Sequence, residues 1–379
     1  MIYRELGRTG VKLSRLGFGC MRFPLRDIYD PTSIDETPSI KLLEHAIEQG
    51  INYFDNAWPY HREKSEEFTG RALKTFRDTI YLATKLPVWM VKEKSDAEKY
   101  FNEQRKRLQT DVIDMYLLHS MAKRSWQTVK DNDILSFLDR IRSEGKIRYV
   151  GFSFHDNVGL FKEIIDAYPW DFCQIQLNYV DTEYQAGVEG LEYASSKGLG
   201  IVVMEPLRGG KLSRQLPEGV QQLINKIDPE PTPTEFSLKF LFNRTEINCV
   251  LSGMSSMEQL IENIKIASND HVNTLSQNDL QIYKEARRIY QSRTKVNCTA
   301  CEYCMPCPKK IPIPFLLELY NDVFIYNALD NSKKIYKVFI KPESRAGNCF
   351  GCQECEEKCP QKIAVATVMQ DIERLLSDQ

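Results

Sequence analysis

Eight of the chain's 11 cysteines fall in two tight runs, and their spacing is the most specific chemistry in the sequence. Cys298, Cys301, Cys304 and Cys307 stand two residues apart, with Pro308 after the last; Cys349, Cys352, Cys355 and Cys359 repeat the pattern with one wider gap, and Pro360 follows. Soft thiolates at such spacing suit zinc or iron–sulfur clusters. Zinc sites more often pair two C-x2-C knuckles across a longer loop. Triplets at this spacing, with proline after the fourth cysteine, favour iron–sulfur. Eight ligands divide into two four-thiolate [4Fe–4S] sites. The remaining three, Cys20, Cys173 and Cys249, lie in or beside apolar runs and read as core residues; Cys20 sits where its run ends, nearest any chemistry.

A second constellation lies upstream. Asp55, Lys85 and His119 each close a short apolar run, and Tyr60 follows Asp55 by five residues. A tyrosine hydroxyl is a weak acid, but a nearby ammonium favours the phenolate, so Lys85 would lower the Tyr60 pKa and make it a proton donor to a carbonyl oxygen. Asp55 would pair with Lys85 so that no buried charge stands alone, and His119 could hydrogen-bond the same carbonyl. Taken singly, the four have plainer readings as cap, rim or packing residues. Their recurrence at successive strand ends is what points to catalysis.

The elements that position them follow from the pattern. Apolar runs at Leu13–Cys20, Ile51–Ala57, Thr79–Lys85, Val112–His119, Ile147–Phe154, Phe172–Tyr179, Gly200–Leu207 and Ile247–Met254 read as buried strands. Amphipathic segments such as Thr37–Gln49 and Asn132–Glu144, each closed by glycine, read as helices between them. Eight strands alternating with helices predict a closed (β/α)8 TIM barrel, with active groups at the C-terminal strand ends. An open doubly wound sheet is the alternative, weakened because Gly17-Phe-Gly19 lacks the third glycine of a dinucleotide fingerprint. Residues 1–12, turning at Arg8–Gly10, predict a hairpin ahead of the barrel. The expected division is residues 1–293 for the barrel and residues 294–379 for a small, mainly α-helical cluster-binding domain, whose folding draws on its metal centres.

The upstream segments resemble the aldo-keto reductase superfamily. Phe54–Tyr60 resembles its D-T-A-x-x-Y segment, with Asn56 for threonine, while Ala83-Thr-Lys85 and Leu117-Leu-His119 supply the other catalytic positions. The resemblance implies a barrel that binds NADP(H) or NAD(H) and reduces an aldehyde or ketone. It further implies that Ser153, Gln174 and Asn178 serve the nicotinamide, that Glu205, Pro206, Leu207, Gly209 and Lys211 lie on the pyrophosphate side, and that Gly253, Met254, Ser255, Gln259, Glu262 and Asn263 serve the adenosine phosphate. Read without the resemblance, Ser255 and Glu258 form a capping box that opens a helix. Some positions depart from the family. Met204 stands where an aromatic often stacks on nicotinamide, His61 replaces a glycine, Phe154 replaces an asparagine, and Gln259 replaces a phosphate-binding arginine. Residues 253–263 contain no Lys or Arg, which weakens NADP against NAD. The second cysteine run has the spacing of bacterial ferredoxins. A ferredoxin-like pairing gives Cys298, Cys301, Cys304 and Cys359 to one cluster, and Cys349, Cys352, Cys355 and Cys307 to the other. The long helical spacer resembles the α-helical ferredoxin type.

Composition narrows the partners. The 50 basic and 52 acidic residues leave a net charge of −2, which gives no case for nucleic acid or an anionic membrane. No run is long and apolar enough to span a bilayer, and the first residues lack the apolar region of a secretory signal. The expectation is a cytoplasmic oxidoreductase acting on a small carbonyl compound, with a redox partner protein for the clusters. Trp58 and Trp89 are expected to line its pocket. The competing reading is an electron-transfer module whose barrel binds nucleotide or docks a partner without carbonyl turnover; such a barrel would not need Asp55, Tyr60, Lys85 and His119 together.

Overall fold

The hairpin forms from Tyr3–Glu5 (β1) and Lys12–Ser14 (β2), paired antiparallel across the expected turn. Its apolar residues Leu6, Val11 and Leu13 are buried with Tyr53, Phe172 and Val202. Tyr53 and Phe172 open their strands, so the hairpin closes the N-terminal end of the barrel and leaves the other end free. The computed structural model describes residues 1–27, 30–214, 216–269, 271–298, 304–359 and 361–377.

Eight strands make the barrel: Leu16–Gly19 (β3), Tyr53–Asp55 (β4), Tyr81–Leu86 (β5), Ile113–Met121 (β6), Ile147–Phe154 (β7), Phe172–Gln176 (β8), Gly200–Met204 (β9) and Cys249–Ser252 (β10). All are parallel, and the sheet closes in sequence order, with β10 returning to β3. The expected TIM barrel is the observed one. The first run differs: Leu13 and Ser14 belong to the hairpin and the barrel strand starts at Leu16. The break falls at Arg15, whose buried guanidinium turns away to donate to the Asn269 carbonyl (2.7 Å) and lie over Phe242. Gly17 is a packing glycine, since a Cβ there would meet Leu251, Cys249 and Tyr53 at 2.8, 2.9 and 2.9 Å.

The chain forms two compact units, residues 1–213 with 234–276, and residues 214–233 with 277–379. In the second, helices Ile313–Ile325, Leu329–Phe339 and Val365–Leu376 bury Leu316, Leu317, Tyr336, Met369 and Ile372 together. Asp330–Lys334, polar in sequence, lies inside a helix because Ser332 and Tyr336 face inward on one side of it. Among the described residues no helix is long and apolar enough to cross a membrane.

Candidate active site

The barrel register brings the upstream constellation to one rim. Asp55 ends β4 and pairs in register with Ala83 of β5, and Lys85 two residues on pairs with Leu117 of β6. The Lys85 ammonium donates to Asp55 Oδ1 at 2.6 Å, to the Asn56 carbonyl at 2.7 Å and to the Tyr60 hydroxyl at 3.4 Å. Both members of the ion pair are buried. Burial works against the Lys85 charge, but Asp55 and Tyr60 outweigh it and hold its pKa above the ordinary value. Burial likewise pushes the Asp55 carboxyl up, against Lys85, Gln174 and Tyr53, which pull it down. At this separation the two stand as carboxylate and ammonium, because either charge alone in the core would be uncompensated.

The Tyr60 pKa departs from the expected direction, though the hydroxyl remains the proton-bearing group expected. Burial is the largest influence and raises its pKa; Lys85 pulls it down without overcoming that. The hydroxyl is therefore protonated near neutral pH, with an ammonium in place to stabilise the phenolate left by proton donation. Three residues in the left-handed region follow it, His61 (φ 51), Arg62 (φ 48) and Glu63 (φ 71). Glycine adopts that conformation without strain. His61 is held there instead by its ring: Nε2 accepts from Phe23 N (3.3 Å), Nδ1 meets the Pro31 carbonyl (2.9 Å), and the imidazole stacks on Phe23.

His119 packs edge-on to Tyr60, ring centroids 6.3 Å apart, and to the exposed Trp89 at 5.0 Å. Its pKa is pushed well below normal by burial first, then by Lys85 and His155. His119 is a neutral imidazole with Nδ1 buried and unpartnered. Trp58 is buried in the wall, between Tyr100 and the Arg107 guanidinium. Cys20, Cys173 and Cys249 are fully buried, and burial raises all three thiols; Cys20 carries no exposed sulfur.

The cofactor-side residues separate into two groups. Gln174, buried in the middle of β8, hydrogen-bonds Asp55 and leaves its Oε1 unpartnered, while Ser153 Oγ accepts from Ser120 N at 2.8 Å. Gln174 thus touches the partner of Lys85, Ser153 pairs with it in register, and an orphaned amide oxygen there fits a carboxamide donor. Glu205, Leu207, Gly209 and Lys211 form the partly exposed loop after β9, with Pro206 buried among them; Gly253, Ser255, Gln259 and Glu262 lie at the start of the helix after β10. By contrast, Asn178 is saturated within the protein, accepting from Val180 N and Asp181 N and donating to Asp181 and the Glu205 carbonyl. Asn263 donates to Ser252, and Met254 is buried. The helix cap is Ser256, not Ser255: its oxygen accepts from Gln259 N, while the Ser255 amide is taken by Gln259 Oε1 at 2.9 Å.

In the second unit one cavity is walled by Cys304, Cys307, Cys349, Cys352 and Cys355, with Lys309, Lys358 and Phe350 beside them. The Cys355 thiol is pushed up to about 11, by burial first and then by the negative charges of Glu356, Cys352 and Cys349. Five thiols lining one cavity suit a bound metal centre, which deprotonates its ligands outright. Among the described residues no three metal-ligating groups are close enough to share one ion; a cluster offers each thiolate its own iron. Cys298 packs against the helical core and Cys359 is buried. Cys301 and Pro360 lie outside the described residues. The turn before Cys349 is pinned from below, as the Tyr336 hydroxyl donates to Glu373 and accepts from Ala346 N, and Gly347 N donates to Glu373.

Residues 15–287 match the model of the aldo/keto reductase family, well over half of the chain. The chain belongs to the aldo/keto reductase family. Residues 297–364 match a second model, the 4Fe-4S dicluster domain, so this aldo/keto reductase carries an iron–sulfur domain C-terminal to its barrel in sequence. L-galactose dehydrogenase of Arabidopsis thaliana is 28% identical over 281 residues, covering 69% of this chain and 86% of its own. The oxidoreductase YqkF of Bacillus subtilis is 27% identical over 329 residues, 77% of this chain and 96% of its own. Among solved structures, the holo form of the aldo-keto reductase AKR11C1 from Bacillus halodurans superposes with a TM-score of 0.64 at 26% identity, over 76% of this chain and 96% of that one.

Two polar groups near the site of this aldo/keto reductase carry no signal in the sequence. Behind Lys85, Gln104 donates to Glu66 (2.8 Å), Thr84 (3.1 Å) and the Lys85 carbonyl (2.9 Å), and accepts from Tyr116 (2.9 Å). Four separate elements supply this network, so no spacing announces it. Gln104→Leu should cost about 1–3 kcal/mol through the partners left unsatisfied, read as a lower urea midpoint at unchanged slope. The second group is His155, directly after β7, with Gln185 Nε2 at 3.3 Å from its ring and burial lowering its pKa to about 4. Because His119 and His155 are both shifted below 6.5, the unfolded chain binds more protons once the pH falls under that value. Their contribution to stability is intact above about pH 6.5 and is lost as the pH drops, for His155 down to about 4. The fall in unfolding midpoint between about pH 7.5 and pH 5 should therefore be shallower in His155→Gln.

Proposed function

We propose that the barrel of this oxidoreductase reduces an aldehyde or ketone, with Tyr60 as the proton donor. The observation that carries this is the buried Asp55–Lys85 pair holding its ammonium 3.4 Å from a protonated tyrosine hydroxyl. Ser153, Gln174 and the loops after β9 and β10 would hold a nicotinamide dinucleotide, NADP(H) or NAD(H), which would supply the hydride. The chain's own residues do the rest. Tyr60 gives its proton to the carbonyl oxygen as negative charge develops there, and Lys85 stabilises the phenolate. Asp55 keeps Lys85 charged and aimed. His119, neutral, donates a hydrogen bond that orients the carbonyl.

The cysteines of the C-terminal domain, beginning near residue 294, would hold two [4Fe–4S] clusters, one of them at the cavity of Cys307, Cys349, Cys352 and Cys355. Such clusters supply single-electron exchange or structural support, and hydride transfer to carbon does not require them. A redox partner protein and a cytoplasmic setting fit that role. The test is anaerobic turnover of NADPH and NADH with a panel of aldehydes and ketones. Carbonyl-dependent oxidation of reduced cofactor is the expected result; the absence of any would remove the reading.

A further inference from the structure

The segment that leaves β3 is anchored on both sides of two exposed residues. Cys20 N donates to the Asp55 carbonyl at 2.8 Å, and the Cys20 carbonyl accepts from Ser65 Oγ at 2.9 Å. Phe23 is buried against Phe18, His61 and Phe68. Between these anchors Met21 and Arg22 are held at the rim, facing outward.

The Arg22 side chain then runs across two glycines from distant parts of the chain. A Cβ on Gly253 would meet its Cδ at 3.1 Å and its Cβ and Cγ at 3.2 Å; a Cβ on Gly209 would meet its terminal Nη2 at 3.0 Å. The stem thus lies over the loop after β10, and the guanidinium reaches the loop after β9. The missing side chains at both positions leave the arginine this room, and Gly209 also has φ +66, where a side chain would be strained. Among the described residues nothing accepts a hydrogen bond from Arg22 or pairs with it. The neighbouring cation of that loop, Arg208, is placed differently, with Nε 3.2 Å from Asp181. A guanidinium laid on two glycine-bearing loops without a protein acceptor is a planar donor fork waiting for an anion, and phosphate matches its geometry.

We infer that Arg22 grips a phosphate of the bound dinucleotide where the Gly209 and Gly253 loops meet, supplying the cation that residues 253–263 lack. This rests on the dinucleotide reading above. The phosphate is either in the diphosphate bridge, common to both cofactors, or the 2′-phosphate of NADPH alone.

The test is titration of the full-length protein with NADPH and with NADH, followed by quenching of tryptophan fluorescence, for wild type, Arg22→Gln and Arg22→Lys. Arg22→Gln should weaken binding about tenfold to a hundredfold, as loss of a charge-assisted contact does, with part of the loss recovered in Arg22→Lys and the melting temperature unchanged. Equal loss for both dinucleotides places the guanidinium on the diphosphate; loss for NADPH alone places it on the 2′-phosphate. Wild-type affinity for both in Arg22→Gln overturns the assignment while leaving the dinucleotide reading standing. A wild-type protein with no affinity for either overturns both.

Discussion

Tyr60→Phe is expected to lower kcat for carbonyl reduction by about 10²- to 10⁴-fold, the usual contribution of a positioned proton donor, with dinucleotide affinity nearly unchanged. The substitution removes one oxygen from a buried ring. What it deletes is the only group the reading asks to move a proton. The Lys85 ammonium keeps its bonds to Asp55 and the Asn56 carbonyl, so no buried charge is orphaned and the fold should hold. Lys85→Met is the contrasting variant, because it leaves Asp55 buried without a counter-charge. Breaking such a pair costs about 3–5 kcal/mol, so its loss of activity should come with a lower unfolding midpoint. A Tyr60→Phe protein that melted like Lys85→Met would mean the tyrosine is structural.

Removing iron should have the next largest effect, confined to the second unit. Its helical core is modest, and Cys298, Cys304, Cys307, Cys349 and Cys355 all pack against it. The proposed ligands thus share that core, so binding metal there would also supply folding energy. Protein purified without oxygen should be brown and hold about eight irons per chain, four for each cluster of four thiolates. Chelation under mild oxidation should split unfolding into two transitions, with a weakened C-terminal unit and a barrel melting as before. Cys352→Ser should halve the iron. Four irons in wild type would mean one cluster, and a colourless, iron-free preparation would end the cluster reading.

Much of this could be read from residues whose meaning depends on local pattern. Asp55, Lys85 and His119 were found because parallel strands deliver their C-terminal ends to one rim, and the apolar runs mark where each strand ends. The cysteine-rich domain was legible because metal spacing is written along the chain, and residues 297–364 match the 4Fe-4S dicluster model. The residues that escaped depend on tertiary context. Arg22 lies in an exposed stretch with no periodicity, and only folding brings it over Gly209 and Gly253. Gln104 and Glu66 meet Thr84 and Tyr116 across separate elements. The direction of the Tyr60 pKa escaped for a related reason: sequence names the lysine beside it, but not the burial that outweighs that lysine.

The most direct measurement follows the nicotinamide under anaerobic conditions, using cofactor deuterated at the transferred position, with wild type and Tyr60→Phe side by side. Carbonyl-dependent oxidation with a primary isotope effect in wild type, and its near loss in Tyr60→Phe, is the predicted result. Oxidation that needs no carbonyl, or that proceeds equally well in Tyr60→Phe, would contradict proton donation by Tyr60 at the barrel mouth.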